Sequence, residues 1–230
     1  YATEKFLEQL LFKYLRCDPE DHAACLIEPY SNGKDYRESM AEIMFETFSC
    51  PSACFLNPAF PAVANAWNNG KRFFTTACVV HFGVNTTDIV PVIDGRLLQD
   101  NVRKLNYGGT DVTEFIADIL KDRELTIPPE DRLQTARYIK ENYCRAIQNE
   151  SYTFNNFDAH AEKYIIKATG ISSSTGKQFS YEVGYERFLA PSIYNHPEMI
   201  KKDSPYSVPQ AVCDSILNCP KKDQRNLLEN

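Results

Sequence analysis

The sequence predicts a protein of mixed α and β structure, and two observations carry this prediction. Before residue 48, apolar residues recur at spacings of three and four, as on one face of a helix. Between residues 76 and 102 the pattern changes to short apolar runs separated by turn residues, as in an antiparallel sheet. Helical patterns then resume, and a second pair of strands and a last helix follow. This order of elements is typical of a mixed α/β architecture.

The N-terminal part predicts two amphipathic helices on either side of a short strand. An apolar stripe on the first helix is expected to face the core, and it consists of Phe6, Leu7, Leu10, Leu11, Tyr14 and Leu15. Asp18-Pro19 ends this helix, and the strand candidate is Ala23–Ile27. A turn is expected at residues 31–33, before the second helix at about Tyr36–Phe48.

A third helix and an antiparallel meander are predicted next. The helix begins near Pro58 or Phe60, because proline is tolerated in the first helical turn, where the amide donors are free. Turns at Gly83 and Asp94-Gly95 separate the strands of the meander. These strands are Thr76–Val80, Ile89–Ile93 and Arg96–Val102.

The second half predicts two helices, a strand pair and a last helix. The first helix starts at Thr110 or Asp111, and its buried face consists of Val112, Phe115, Ile116, Ile119 and Leu120. The next helix opens at residues 128–131, and its apolar side consists of Leu133, Ala136, Ile139 and Tyr143. Strands are expected at Lys163–Ala168 and Gln178–Val183, and the last helix follows Pro205 or Pro209.

The composition of the chain limits the classes of protein to which it can belong. Apolar residues make up 43%, with 14 phenylalanines and 13 tyrosines, which is enough to build packed cores. The net charge is −6 and the basic residues are scattered, so nucleic acid is not expected as a partner. No apolar run approaches the roughly 18 residues of a membrane span. The eight cysteines lack the spacing of a zinc site, and free reduced thiols are expected.

Five ordered stretches carry a family resemblance. They read FKYLRCDPEDH (12–22), AEIMFETF (41–48), DRELTIPPE (122–130), VGYERFL (183–189) and ILNCP (216–220). In these stretches, and in the lengths of most connections between them, the chain resembles the actin-related protein 3 family. The resemblance covers essentially the whole chain, and plain actin shares only the second stretch.

The resemblance implies an actin-like, ribonuclease-H-like fold of the mixed α/β class, incomplete at both ends. The family's first phosphate loop and its Gly-Gly-Ser-Thr turn have no counterpart in these residues. By analogy, residues 1–73 form part of actin subdomain 1, residues 74–107 and 192–230 form part of subdomain 3, and residues 108–191 form subdomain 4. Strand edges are expected to lie unpaired where the absent segments belong.

The resemblance also implies a function and partners. The family belongs to the actin-related protein 2/3 complex of the cytoplasm and cytoskeleton, so the other subunits of that complex and the actin filament are the expected partners. Its cofactor is ATP. Two alternatives stay open: a diverged scaffold of another assembly, such as a chromatin-remodelling or dynactin-type complex, and an ATP-using enzyme of the actin and sugar-kinase superfamily.

The expected phosphate loop departs from the family's pattern. The family reads Asp-Ser-Gly-Asp-Gly-Val-Thr-His where this chain has residues 81–88, so His81 and Val84 replace both loop carboxylates. Carboxylates hold the water shell of Mg²⁺, and glycines let backbone amides approach phosphate. Gly83 remains, while Asp88 lies several residues too late along the chain to replace either carboxylate. Pro58 stands where the family's water-orienting glutamine lies, so no catalytic activity is expected.

The nucleoside side of the cleft keeps more of the family's pattern. Arg137, Lys140 and Glu141 match positions that contact adenine and ribose in the family, and Gly109 matches the glycine on the opposite edge. Without the resemblance, charged residues at spacings of three and four indicate only a solvated helix face. The candidate nucleotide-binding residues are therefore Gly83, Gly109, Arg137, Lys140 and Glu141.

Overall fold

The computed structural model describes residues 2–28, 33–68, 76–123, 126–200 and 206–229. Helices and strands alternate along these ranges, and the prediction of a mixed α and β protein is confirmed. Within them, no helix is both long and apolar enough to cross a membrane. The turn predicted at residues 31–33 lies mostly outside the described residues.

The N-terminal layer contains two helices against a two-stranded parallel sheet. The helices are α1 (Ala2–Glu8) and α2 (Lys34–Glu42), and the strands are β1 (Ala24–Ile27) and β2 (Ala53–Leu56). Each helix continues as a wider π-helical turn, over Gln9–Leu15 and Ile43–Thr47 respectively. The layer has its own core of Leu7, Met40, Met44, Phe48 and Cys50. Strand β2 was not predicted from the sequence.

The predicted core stripe of the first helix is wrong for half of its members. Leu7 is buried, but Phe6, Tyr14 and Leu15 are 65%, 68% and 61% exposed. The helix winds as a π-helix from Gln9 onwards, with more residues in each turn than an α-helix. Residues spaced for one α-helical face therefore spread around the helix, and this leaves large apolar side chains on the surface.

The central sheet is the predicted antiparallel meander, with one correction. Its main strands are β3 (Ala77–Phe82) and β4 (Thr87–Ile93), and all of β3 pairs with Thr87–Val92 of β4. The predicted third strand, Arg96–Val102, is a strand only at β5 (Arg96–Leu97), because a 3₁₀ turn at Gln99–Asn101 occupies its second half. A further strand, β6 (Arg103–Leu105), was not predicted, and both β5 and β6 pair with β4.

Both faces of β4 are covered. Ile89 packs with Tyr107 and with α9 (Val208–Leu217) on one face. Val90 and Val92 pack on the other face against α3 (Ala59–Asn68). The turn between β4 and β5 has positive φ at both Asp94 and Gly95, as a tight two-residue hairpin requires. The last helix, α10 (Lys221–Glu229), was not predicted and packs near β3 and β4.

The second lobe contains two helices, α4 (Gly109–Arg123) and α5 (Arg132–Tyr143), which pack together. They also pack against a hairpin of two strands, β7 (Ile166–Ile171) and β8 (Gln178–Val183). The predicted face of α4 is confirmed, with three residues buried and two partly buried. Leu133 of α5 is 57% exposed, so its predicted packing is wrong.

Two helices of this lobe were not predicted from the sequence. They are α6 (Glu150–Ala159) and α7 (Ala161–Tyr164), in a stretch that is polar by composition. Because α7 occupies the predicted start of the first hairpin strand, β7 begins at Ile166 rather than at Lys163.

One buried ion pair holds the two halves of this lobe together. Arg123 at the end of α4 donates two hydrogen bonds, of 2.6 and 2.8 Å, to the carboxylate of Glu186 in α8 (Glu186–Leu189). The Glu186 side chain is fully buried and also accepts a 2.8 Å bond from the Gly184 amide. Arg123 donates a further bond to the Glu182 carbonyl and lies over the Tyr185 ring.

Replacing Glu186 with glutamine is expected to destabilise the protein strongly. The change leaves the Arg123 guanidinium partly buried without its bidentate carboxylate, and losing one partner of such a pair costs about 3–5 kcal/mol. Urea denaturation measures the free energy of unfolding. The matched control is Glu229→Gln, which breaks the exposed pair of Arg225 and Glu229 and should leave that free energy nearly unchanged. Equal, small effects of the two changes would contradict the assigned role.

Candidate functional site

The turn between β3 and β4 is held against the N-terminus of α4. Within the turn, the Gly83 amide donates to the Thr86 carbonyl at 2.8 Å. From the helix, the Gly109 amide donates to the Gly83 carbonyl at 3.0 Å, and the Thr110 amide donates to the Val84 carbonyl at 2.7 Å. The turn and the helix start therefore form one hydrogen-bonded unit.

These bonds use several of the backbone amides that could otherwise donate to an anion. A helix N-terminus binds phosphate when its free N–H groups point at the ligand. Here the amides of Gly83, Gly109 and Thr110 all donate to protein carbonyls, and the Gly108 amide donates to the Asp111 carboxylate at 2.8 Å. The turn carbonyls accept hydrogen bonds from the helix amides, so phosphate oxygens would have to compete with these carbonyls for the same donors. A magnesium triphosphate does not fit this arrangement, since the turn also lacks carboxylates for the cation.

Gly108 makes this close approach feasible. A Cβ added at Gly108 would lie 2.7 Å from the Gly83 carbonyl oxygen and 2.8 Å from that of Val84. At neighbouring Gly109, the nearest atom to an added Cβ would be Lys140 Nζ, at an ordinary 3.5 Å. Gly108 is not among the residues predicted for the site. The pair of consecutive glycines just before a helix cap was the available signal for a tight backbone contact.

The five predicted site residues lie in two connected groups. Gly83, Gly109 and Lys140 form a chain of hydrogen bonds, because Lys140 Nζ donates to the Gly109 carbonyl at 3.0 Å. Arg137 and Glu141 form an exposed ion pair at 2.9 Å, one helical turn apart on α5. This pairing raises the pKa of Arg137 and lowers that of Glu141, in both cases first through their mutual hydrogen bond. All five are thus already engaged with protein atoms.

The residues at the expected hydrolytic centre also lie together. Pro58, His81 and Asp88 line one cavity of about 10 Å³ beside Val79 and Val90. Asp88 was expected to lie too far along the chain from His81 to take the place of a loop carboxylate. The register of the antiparallel pair nevertheless places it directly opposite His81 across the β3–β4 hairpin, so this expectation is wrong about its position. The cavity is at the lower limit for one water molecule, which needs about 10–15 Å³.

Asp88 has an unusual environment for a carboxylate. It is only 7% exposed, and burial raises its pKa, while Lys104 and His81 act in the opposite direction. The raised pKa means that these surroundings disfavour the charged form of Asp88 relative to water.

A much larger cavity, of about 740 Å³, lies between α5 and the β7–β8 hairpin. Its walls include Gln134, Tyr138, Phe179 and Tyr181. None of the five predicted site residues lines it. It therefore gives no support to the prediction of a nucleotide site.

Comparison with known proteins gives consistent matches. The chain matches the Actin family over residues 2–175. It is 38% identical over 229 residues to actin-related protein 3 of Drosophila melanogaster, which is 99% of this chain and 55% of that protein. It is 36% identical over 228 residues to actin-related protein 3 of Dictyostelium discoideum, again 99% of this chain and 54% of that protein. The chain thus spans about half the length of the curated relatives it matches.

Alanine at Gly108 is expected to separate the turn from α4. The added Cβ would overlap two carbonyl oxygens of the backbone, and overpacking of this kind costs about 1–3 kcal/mol. Chemical denaturation measures the loss, and amide hydrogen exchange at Gly109 and Thr110 reports the opening. The control Gly109→Ala meets only ordinary contacts and should change both far less. Equal protection of these amides in both variants would contradict the proposed contact.

Replacing Asp88 with asparagine is expected to stabilise the protein at about pH 7 but not at about pH 3. A carboxyl whose folded pKa is raised stabilises the fold below its unfolded pKa, and it loses that contribution as the pH rises towards the folded pKa. The difference in free energy of unfolding between the variant and the unaltered chain should therefore grow with pH over this interval. Denaturation at several pH values measures it, and a difference that shrinks with pH would show that the Asp88 charge is stabilising.

Proposed function

Since this chain belongs to the actin family, we propose that it acts as a non-catalytic actin-related subunit. Its proposed place is the cytoplasmic actin-related protein 2/3 complex, where it would contribute to nucleation of branched actin filaments. The similarity to actin-related protein 3 of two organisms, over 99% of the chain, supports this assignment within the family. The proposal includes the subdomain assignment made from the sequence, with residues 108–191 as subdomain 4.

One observation carries the non-catalytic part of the proposal. At the turn that would hold the phosphates, the Gly83 amide and the neighbouring helix amides of Gly109 and Thr110 donate to protein carbonyls, and His81 and Val84 stand in place of carboxylates. Phosphoryl transfer depends on positioning and on neutralising charge, which this turn cannot supply. Pro58 likewise offers no side-chain group to orient a water molecule.

The nucleoside side of the cleft supports a weaker interaction at most. Gly109, Lys140, Arg137 and Glu141 would face adenine and ribose by family resemblance. A ligand there would have to compete with the bond from Lys140 to the Gly109 carbonyl and with the Arg137–Glu141 pair. In the proposed function, ATP is therefore not needed for assembly, and its phosphates add at most about tenfold to the affinity.

The exposed apolar side chains of the N-terminal helix are the proposed contact with sister subunits. Phe6, Tyr14 and Leu15 are each more than 60% exposed on α1 and its π-helical continuation. Three large apolar side chains are thus exposed within ten residues of the chain, and we assign them to a protein interface. Such a contact also fits a role in which the subunit works by assembly rather than by chemistry.

The experiment is affinity purification of the tagged protein from cells that contain the branching complex, followed by identification of the partners. Recovery of the other subunits of the actin-related protein 2/3 complex is expected, together with loss of activator-stimulated branching when the protein is depleted. Recovery of chromatin-remodelling or dynactin-type subunits without the branching complex would contradict the proposal. So would ATP turnover that is abolished by changing residues at the cleft.

The double variant Tyr14→Ser, Leu15→Ser is expected to reduce recovery of sister subunits by about tenfold or more, because each buried apolar side chain contributes about 1.5–3 kcal/mol to an interface. Circular dichroism should show an unchanged fold, since both side chains are exposed in the chain itself. The matched control is Ile171→Ser, on the hairpin of the other lobe and 74% exposed. Equal recovery with both variants would place the contact elsewhere.

A further inference from the structure

Two cysteines lie side by side on the parallel sheet of the N-terminal layer. The register of β1 and β2 pairs Cys25 directly with Cys54. Residues directly opposite on neighbouring strands project to the same face of a sheet. Ala24 and Leu26 of β1, together with Ala53 and Phe55 of β2, pack towards the helices, so the two cysteines project from the opposite face. Both are exposed there.

The separation of the two strands suits a disulfide. Neighbouring strands lie about 4.8 Å apart, and disulfides join Cα atoms that are about 4.4–6.8 Å apart. The two side chains also interact, since a hydrogen bond with the Cys54 side chain is the first cause that raises the pKa of Cys25. The spacing of the two strands is therefore within the range that a disulfide spans.

The other cysteines are placed less favourably. Cys50 and Cys219 are buried, and Cys78 and Cys144 are partly buried, with burial raising the pKa of Cys78 to about 11 and that of Cys144 to about 12. A disulfide oxidant reaches buried and partly buried thiols less easily than the exposed thiols of Cys25 and Cys54. Cys213 is exposed, but it lies on α9, away from the parallel sheet.

We propose that Cys25 and Cys54 form a reversible dithiol–disulfide pair, an oxidative modification site on the outer face of the β1–β2 sheet. The oxidant is a low-molecular-weight disulfide. The thiolate of one cysteine attacks a sulfur of the oxidant and releases one molecule of thiol, which leaves a mixed disulfide. The second cysteine then attacks the protein sulfur and releases the second molecule of thiol. The two cysteines lose two electrons and two protons in total, and the oxidant gains them.

The product is expected to be easily reduced. Both cysteines are exposed, and exposed disulfides have the higher reduction potentials that suit reversible chemistry. In the disulfide form, residues 26–53, which include α2, become a closed loop. Closing a loop restricts the unfolded chain, so the oxidised protein should melt at a higher temperature than the reduced protein.

The test is incubation of the native full chain with oxidised glutathione, followed by mass spectrometry before and after digestion without reductant. The expected product has an intact mass lower by about 2 Da and a peptide pair joined through Cys25 and Cys54, and dithiothreitol restores the starting mass. In the Cys54→Ser variant, the reaction should stop at a glutathione adduct on Cys25. The control Cys213→Ser should give the same joined peptides as the unaltered chain.

Two results would overturn the proposal. One is a native chain that carries separate glutathione adducts on Cys25 and Cys54 and no bond between them. The other is a disulfide that joins different cysteines, such as Cys17 and Cys50. Circular dichroism of each variant separates both results from a failure to fold.

Discussion

The ion pair between Arg123 and Glu186 is the contact on which the second lobe depends. It fixes the C-terminal end of α4 to the segment that follows the β7–β8 hairpin, inside a core where an unpaired charge is costly. A helix of 15 residues is about 22 Å long, so anchoring one end directs the other. That other end meets the turn between β3 and β4. The position of the candidate site therefore depends on contacts at both ends of α4: the ion pair at its C-terminal end and the turn at its N-terminal end.

The same contact explains why two of the motifs that carry the family resemblance matter physically. DRELTIPPE supplies Arg123, and VGYERFL supplies Glu186 together with Gly184 and Tyr185, which complete the surroundings of the pair. Arg123, Gly184, Tyr185 and Glu186 interact with one another and hold the frame of the fold. The turn at residues 83–86, by contrast, contains no carboxylate. A retained frame with an altered turn fits the proposed role of a subunit that works by assembly.

Sequence patterns predicted the elements whose packing is periodic, and they failed where tertiary contacts decide the structure. The buried face of α4 and the β3–β4 pair could be read directly, because their apolar spacing matches a regular helix or strand. The surface position of Tyr14 could not, because π-helical winding changes the spacing within the helix. At the site, the Arg137–Glu141 pair follows from local spacing. The proximity of His81 to Asp88 depends on strand register, and the role of Gly108 depends on the approach of a separate turn.

The central claim is that the amides of Gly83, Gly109 and Thr110 donate to protein carbonyls and are not free for phosphate, and nucleotide affinity tests it most directly. Isothermal titration calorimetry would compare adenosine with magnesium ATP on the same protein preparation. Magnesium ATP is expected to bind no more than about tenfold tighter than adenosine, which corresponds to about 1.4 kcal/mol from all three phosphates. Magnesium ATP bound about a hundredfold tighter, or more, would contradict it. That result would mean that the carbonyls of Gly83 and Val84 release their amide partners to the ligand.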